Sequence, residues 1–162
     1  MVWTPDKERE PASVRAFKET DAEEVCELVK RTLIEVNSKD YSSEEIRYLR
    51  EEYFTPEHFL ELIKGRKVVV LVKENEIIGT GAYASGMLET IYVSPDYHGL
   101  GYGKQIVEHL EDIAREDGVK TLRLMASLTA VGFYTALGYT ARERKEHTKF
   151  GTTILMDKEL SS

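Results

Sequence analysis

The sequence of 162 residues has little of several features that define whole classes of protein. Its one cysteine, Cys26, excludes an internal disulfide and suits a reducing cytoplasm, which is the location we expect. No apolar run approaches the roughly 18–20 residues of a membrane span, and the polar segment before Pro11 does not resemble a signal peptide. Because acidic residues outnumber basic ones by 29 to 22, nucleic-acid binding is not expected.

Histidine is also scarce, and His58, His109 and His147 do not share the spacing of a metal site, so no metal is expected. What the chain does contain is ordinary for a globular protein, with 41% hydrophobic and 31% charged residues. A chain of this length can bury the core of a single domain. We expect residues 1–12 to form a flexible N-terminal arm and residues 13–162 to form that domain.

Hydrophobic periodicity predicts strands alternating with helices. The apolar run at 68–72 is typical of a strand covered on both faces. Val25, Cys26 and Val29 recur at helical spacing, which makes Cys26 a core residue rather than a nucleophile. In chain order we predict a strand at 13–18, helices beginning near 20, 42 and 55, strands at 68–72, 77–83 and 87–93, a helix ending near 117, a strand at 121–125, a short helix at 129–136, and a hairpin of strands at 141–147 and 152–156.

Three alternating glycines, Gly99, Gly101 and Gly103, lie between a predicted strand and a predicted helix. Such glycines let the backbone approach an anion closely, and the free N–H groups of the helix start point at it. A Walker loop is excluded because Gln105 follows Lys104 where Ser or Thr is required, and the dinucleotide fingerprint lacks its third small residue. A glycine-rich turn that binds no ligand is the plain alternative.

Two motifs in this sequence resemble those of the GNAT N-acetyltransferase superfamily. His98-x-x-Gly101-x-Gly103 resembles the Arg/Gln-x-x-Gly-x-Gly/Ala loop that holds the acyl-CoA pyrophosphate, with His98 in place of Arg or Gln. The segment from Ser127 to Tyr139 resembles the signature Asn-x-x-Ala-x-x-Phe-Tyr-x-x-x-Gly-Phe/Tyr, with Ser127 in place of Asn. Asp40-Tyr41-Ser42 and the segment 126–130 resemble an uncharacterised bacterial and archaeal branch.

The resemblance covers residues 13–160 and implies a single-domain α/β fold with a mixed, mostly antiparallel sheet of about seven strands flanked by helices. It implies acetyl-CoA as the acyl donor, and direct transfer of the acetyl group to a primary amine. The residues that it implies for CoA binding are Ile91, Tyr92, Val93, His98, Gly99, Leu100, Gly101, Tyr102, Gly103, Lys104, Ser127, Ala130 and Phe133.

Transfer to an amine needs a proton acceptor and a proton donor, because the amine must be neutral to attack and the thiolate must be protonated to leave. In the family the acceptor often lies on the strand before the loop, where Glu89 is the ionisable side chain. The donor is commonly a tyrosine at the position of Tyr134. A solvated glutamate and a packed aromatic residue are the corresponding plain interpretations. The Val93 N–H is the expected contact of the thioester oxygen.

His98 is expected to donate to a phosphate oxygen, but histidine is neutral over much of the physiological pH range, whereas arginine stays charged. Weaker CoA binding at higher pH is therefore expected. The acidic residues between 40 and 61 either attract a cationic amine or form a solvated surface. A non-catalytic acyl-CoA sensor, and transfer to an oxygen or to a protein amine, stay open as alternatives. A homodimer is compatible with the resemblance.

Overall fold

The structure is a computed structural model that describes residues 11–147 and 151–161. Most of the predicted N-terminal arm, residues 1–10, lies outside the described residues, as does the predicted hairpin turn at 148–150. The strands are β1 Ser13–Ala16, β2 Lys67–Lys73, β3 Glu76–Ala84, β4 Met87–Val93, β5 Thr121–Ser127, β6 Thr140–His147 and β7 Gly151–Glu159. The helices are α1 Ala22–Glu35, α2 Ser43–Tyr48, α3 Pro56–Leu62, α4 Tyr102–Glu116 and α5 Val131–Ala136.

All seven strands form one sheet in the order β1-β2-β3-β4-β5-β7-β6. Strands β4 and β5 pair in parallel, while the other neighbouring pairs are antiparallel. The predicted mixed, mostly antiparallel sheet of seven strands is confirmed. The predicted order of helices and strands is confirmed as well, with boundaries that differ by a few residues, as at β7, which begins at Gly151.

Each face of the sheet carries its own hydrophobic core. Val69 and Leu71 of β2 belong to the core beneath α4, whereas Val68 and Val70 belong to the core beneath α1 and α3. Because alternate residues of a strand point to opposite faces, this division follows from the continuous apolar run in β2. The prediction that β2 is covered on both faces is confirmed.

Two glycines of β3 allow α4 to pack closely against the sheet. A Cβ atom built on Gly79 would lie 2.7 Å from Cδ1 of Ile106, and one built on Gly81 would lie 2.7 Å from Cγ2 of Ile106 and 2.9 Å from Cδ1 of Leu110. These distances are too short for any residue with a side chain unless Ile106, Leu110 or the helix itself moves. The position of α4, and of the loop that precedes it, therefore depends on the absence of side chains in the middle of β3.

The helices on the other face begin at capping residues. Ser42 accepts a hydrogen bond from the Glu45 N–H at 3.1 Å, and the Glu45 carboxylate accepts one from the Ser42 N–H at 2.7 Å. Thr55 accepts one from the His58 N–H at 3.2 Å, and Pro56 follows at the first helical position. Among the described helices none is both long and apolar enough to cross a membrane.

Cys26 lies in the core beneath α1, with 1% of its surface exposed. Burial raises the pKa of its thiol to about 11, so the thiolate that would act as a nucleophile is disfavoured near neutral pH. The prediction that Cys26 is a core residue is confirmed.

Candidate active site

The parallel strands β4 and β5 separate soon after they begin. Their register pairs Met87 with Arg123 and Leu88 with Leu124, and no later pair follows in the described residues. Beyond this point lies a cavity of about 600 Å³ between the two strands. It is lined by β4, β5, the loop before α4, helix α5 and the end of α1. The sheet is therefore open where the family resemblance predicts the acyl-CoA arm.

A β-bulge in β4 shapes one wall of this cavity. Ala82 pairs with Glu89 and Thr80 pairs with Tyr92, so two residues of β4 lie opposite the single residue Gly81. Thr90, one of the two, has a φ of 52°. This left-handed conformation is unfavourable for a β-branched residue and costs about 1–3 kcal/mol.

The bulge brings Glu89 and Tyr92 to the same face of the sheet. Ala82 and Thr80 are two residues apart on β3 and share a face, and antiparallel partners point the same way. In a regular strand, residues three positions apart, such as Glu89 and Tyr92, would point to opposite faces. Both line the cavity, and Tyr92 packs against the core beneath α1 and α3. The sequence predicts only CoA binding for Tyr92, because the bulge has no local signal.

Glu89 is half-buried and held by an ion pair. Its Oε2 lies 2.8 Å from Nε of Arg66, and both side chains are 29% exposed. Nη1 of Arg66 also donates a hydrogen bond to the Leu62 carbonyl at the end of α3. The carboxylate is thus fixed in the cavity wall from the α3 side. Sequence analysis did not identify Arg66, which is far from Glu89 along the chain.

Tyr134 of α5 is buried at the opposite side of the cavity. Burial raises the pKa of its hydroxyl above the ordinary value, so the phenol keeps its proton. Its ring packs edge-on against Phe133 at 4.9 Å and against Tyr139 at 5.9 Å between ring centroids. No hydrogen bond found among the described residues uses the Tyr134 hydroxyl, which leaves it free to donate into the cavity.

Two further phenols, those of Tyr92 and Tyr41, line the same cavity. Burial raises the pKa of Tyr92, and the nearby hydroxyls of Tyr41, Tyr134 and Tyr53 raise it further. The cavity thus contains several neutral proton donors that stay protonated at neutral pH.

The three glycines of the loop have two different physical roles. Gly99 and Gly101 have φ values of 77° and 88°, which other residues rarely adopt, and Gly101 is the N-cap of α4. Gly103 is inside the helix, where a Cβ would lie 3.0 Å from Cζ of the Phe133 ring. The first two glycines therefore shape the turn, and the third lets the α5 side of the cavity approach the helix.

His98 contacts the end of β4. Its Nε2 lies 2.6 Å from the Val93 carbonyl oxygen, and because a carbonyl only accepts, Nε2 carries the hydrogen. In the neutral ring the other nitrogen then has no hydrogen, so the predicted donation to a phosphate requires the protonated ring. The contact with Val93 also ties the loop to the end of β4.

Glu89, Tyr134 and nearly all of the predicted CoA-binding residues line the one cavity. The exception is Leu100, which packs against the core beneath α4 and does not line the cavity. Ser127 accepts a hydrogen bond at 3.2 Å from the Nδ2 atom of Asn37, a residue that sequence analysis did not identify. Ser127 replaces the larger asparagine of the family motif. This smaller residue is the one sequence signal that another side chain, that of Asn37, reaches the position.

A mixed seven-stranded sheet that opens between its parallel strands above a glycine loop defines the GNAT class of acetyltransferase folds. A family model described as "Acetyltransferase (GNAT) domain" matches residues 37–160. The chain therefore belongs to this family.

The relatives agree with this assignment. The uncharacterized protein YyaT of Bacillus subtilis (strain 168) is 33% identical over 97 residues, which is 57% of this chain and 66% of YyaT. The chain spans less than two thirds of the length of the curated relatives that it matches first. As predicted, these relatives include uncharacterised bacterial acetyltransferases.

Solved structures share the fold. A GCN5-related N-acetyltransferase from Rhodopseudomonas palustris superposes with a TM-score of 0.87 at 21% identity, covering 93% of this chain and 97% of that one. The PaiA N-acetyltransferase of Thermoplasma acidophilum, solved in complex with coenzyme A, has a TM-score of 0.78 at 20% identity and covers 93% of this chain and 100% of its own.

Proposed function

We propose that the protein transfers an acetyl group from acetyl-CoA to a primary amine within a ternary complex, with Glu89 as the base and Tyr134 as the acid. The observation that carries the proposal is that one cavity joins the glycine loop, the Tyr134 phenol and the Glu89 carboxylate. Glu89 lies on the α1–α3 face of the sheet, whereas the core around Tyr134 lies on the α4 face. The two groups therefore approach the reacting atoms from opposite sides.

The loop end of the cavity suits the CoA pyrophosphate. The first main-chain bond of α4 runs from the Gln105 N–H to the Gly101 carbonyl, so the N–H groups of Gly103 and Lys104 have no partner within the helix and can bind an anion. Lys104 adds an exposed cation in the first turn. The gap between β4 and β5 leaves backbone groups of Ile91 to Val93 for the pantetheine arm. The coenzyme A bound to the PaiA protein of the same fold supports this use of the loop.

Glu89 acts as the base for the acceptor amine. An alkylammonium ion is almost fully protonated at neutral pH, and deprotonating it costs about 4.6 kcal/mol there. Glu89 receives the proton, directly or through water, as the amine nitrogen bonds to the thioester carbon. The carbon–sulfur bond then breaks, and Tyr134 protonates the departing thiolate. The nitrogen gives up its second proton to the Tyr134 oxygen, which restores the phenol, and Glu89 releases the first proton to solvent. The products are an N-acetyl amine and free CoA, and no covalent acyl-enzyme is formed.

The proposal is tested by following the release of CoA thiol with a panel of amines, for the parent and for Glu89→Gln and Tyr134→Phe. We expect turnover with some amines and a drop in kcat of about a hundredfold or more in each variant. The Kd of acetyl-CoA, measured by calorimetry, should change little because both variants keep the glycine loop that we propose to hold the pyrophosphate. Tight acetyl-CoA binding without turnover for any amine would favour a non-catalytic acyl-CoA sensor instead.

The cytoplasmic location, the homodimer, the absence of a metal and the assignment of residues 13–162 to one N-acetyltransferase domain stay predictions from the sequence.

A further inference from the structure

The segment Asn37–Tyr41, here called the strap, crosses one end of the cavity between α1 and α2. Nδ2 of Asn37 donates to Oγ of Ser127 at 3.2 Å. Oδ2 of Asp40 accepts from the Thr129 N–H at 3.1 Å. These contacts join residues about 90 positions apart in the sequence and attach the strap to the end of β5 and the turn that follows it.

Tyr41 attaches the strap to a third element. Its ring covers Gly151 at the start of β7 so closely that a Cβ on Gly151 would lie 2.5 Å from Cδ1 of Tyr41. The same Cβ would lie 3.4 Å from the Asp40 carbonyl oxygen. Burial raises the pKa of Tyr41 to about 12, with smaller effects from Asp40 and Glu45. The strap is thus packed against the sheet rather than lying open in solvent.

Both ends of the strap line the cavity, through Asn37 and Tyr41. The strap therefore bridges the acceptor end, which we define as the lining residues on the α1–α3 side of the sheet. They include Thr32, Val36, Asn37, Tyr41, Glu89 and Tyr92. A lysine on the surface of a protein brings its own backbone and flanking residues with it, and these need an open groove. Because the strap is tied to β5 and β7 across this end, the arrangement favours a small free amine.

The charges of the lining residues restrict the acceptor further. Among the described residues of the acceptor end the one charged side chain is that of Glu89, and the rest are apolar, phenolic or neutral polar groups. His98 and Lys104, the other charged or titratable cationic side chains in the lining, belong to the loop end. An acceptor with a carboxylate or phosphate would need a cationic partner at the acceptor end, and the neighbouring Arg66 is already paired with Glu89 and with the Leu62 carbonyl.

We infer that the acceptor is a small free amine with a compact apolar body and no anionic group, and that the strap determines this specificity. The inference rests on the proposed acetyl transfer. The apolar body packs against Val36 and the rings of Tyr41 and Tyr92, while the ammonium group meets Glu89, which takes its proton.

The first experiment compares kcat/KM for three acceptors with saturating acetyl-CoA. They are 2-phenylethylamine, phenylalanine, which differs from it by one carboxylate, and a lysine-containing peptide blocked at its N-terminus. We expect 2-phenylethylamine to exceed each of the others at least tenfold. Higher kcat/KM for phenylalanine or the peptide would overturn the inference and leave acetyl transfer standing. Failure to bind acetyl-CoA, measured separately, would overturn the proposed function itself.

The second experiment tests the strap. Asp40→Ala removes the oxygen that accepts from the Thr129 N–H, whereas Asp40→Asn keeps a side-chain oxygen able to accept it. We expect Asp40→Ala to lower the ratio of kcat/KM for 2-phenylethylamine to that for the peptide about tenfold, the size expected for losing one hydrogen bond to a charged group. Asp40→Asn should keep most of the ratio.

Glu44→Ala is the matched control, because it removes an exposed carboxylate from the neighbouring helix α2 without touching the strap contacts. It should leave the ratio unchanged. All variants are compared at temperatures below their measured Tm, so that unfolding does not enter the rates. An unchanged ratio in Asp40→Ala would show that the strap does not determine the acceptor and would overturn the inference.

Discussion

The two ends of the cavity differ in how the sequence builds them. The loop end consists of consecutive residues, from His98 to Lys104, that follow one strand and begin one helix. The acceptor end collects residues from α1, the strap and β4, and the strap is held in turn by β5 and β7. A local motif thus forms the loop end, where we propose that acetyl-CoA binds. Long-range contacts form the acceptor end, where we propose that the amine binds.

This difference suggests that the two ends can be changed separately. Substitutions at the loop end should alter the affinity for acetyl-CoA and leave the chemical step intact. Substitutions at the acceptor end should alter kcat or acceptor choice and leave acetyl-CoA affinity intact. One residue, Gly81, supports both ends, and its substitution should have the largest effect.

Gly81 faces α4 from the surface of the sheet. Within the sheet it lies opposite the bulge of β4. Gly81→Ala would place a Cβ 2.7 Å from Ile106 and 2.9 Å from Leu110, both fully buried, and 3.5 Å from Ile91 in the bulge. We expect a loss of about 2–3 kcal/mol in the free energy of unfolding, measured with urea. Both the Kd of acetyl-CoA and kcat should worsen.

Gly132→Ala is the matched control for this substitution. A Cβ at Gly132 would meet nothing within 4 Å, and the residue lies in helix α5. Since alanine favours helix over glycine by about 1 kcal/mol, the control should unfold at the same or a higher urea concentration. If Gly81→Ala proved as stable as Gly132→Ala, the close packing of α4 on β3 would not be what fixes the two ends.

Arg66→Gln tests the acceptor end alone. Arg66 pairs with Glu89 at 2.8 Å and anchors it to the end of α3. Without that contact the carboxylate is less well held, and we expect kcat to fall about tenfold, as for one lost charge-assisted hydrogen bond. The Kd of acetyl-CoA should stay the same. A change in Kd with an unaltered kcat would mean that Arg66 acts on the loop end and that the two ends are not separable.

Tyr41→Phe tests the burial of the strap through pH. The pKa of the Tyr41 phenol is raised to about 12 in the folded protein, above its ordinary value near 10. A group of this kind contributes stability that is complete below its unfolded pKa and is lost as pH rises toward its folded pKa. Raising the pH from about 9 to about 11 should therefore destabilise the parent by about 1 kcal/mol more than the variant.

The measurement is urea unfolding of both proteins across this pH range, with neutral pH as the internal control. Near neutral pH small changes in pH should leave the stability difference between the two proteins constant. If the stabilities of the parent and the variant stay parallel through the alkaline range, the Tyr41 ring is exposed. The strap would then not be packed against the sheet at the acceptor end.

The loop end could be predicted from the sequence because its signals are local. The alternating glycines mark the turn between the predicted strand and the predicted helix within a few residues. The order of strands and helices along the chain was also predictable, since each strand and helix carries its own hydrophobic period. The contact of the His98 ring with Val93 was not predictable, because it depends on how the loop turns back.

The acceptor end could be predicted only for Glu89. The bulge at Thr90 depends on the register between β3 and β4, and a β-branched residue in left-handed conformation runs against its own preference. Counting alternate residues from Glu89 therefore assigns Tyr92 to the wrong face. The contacts of Asn37 with Ser127 and of Tyr41 with Gly151 link distant segments, and neither has a local signal.

Gly103→Ala gives the smallest effect and the sharpest separation of the two ends. The added Cβ would lie 3.0–3.1 Å from the edge of the Phe133 ring, which is 39% exposed and can move away by a few tenths of an ångström. Helix propensity favours the alanine by about 1 kcal/mol, so the free energy of unfolding should not fall. Because Phe133 lines the cavity beside the loop, its displacement should raise the Kd of acetyl-CoA about threefold, a change of about 0.6 kcal/mol.

An unchanged Kd, measured by calorimetry, would show that the ring and the loop do not share a binding surface. A lower kcat at saturating acetyl-CoA would show instead that the loop end also controls the chemical step, since α5 carries both Phe133 and Tyr134.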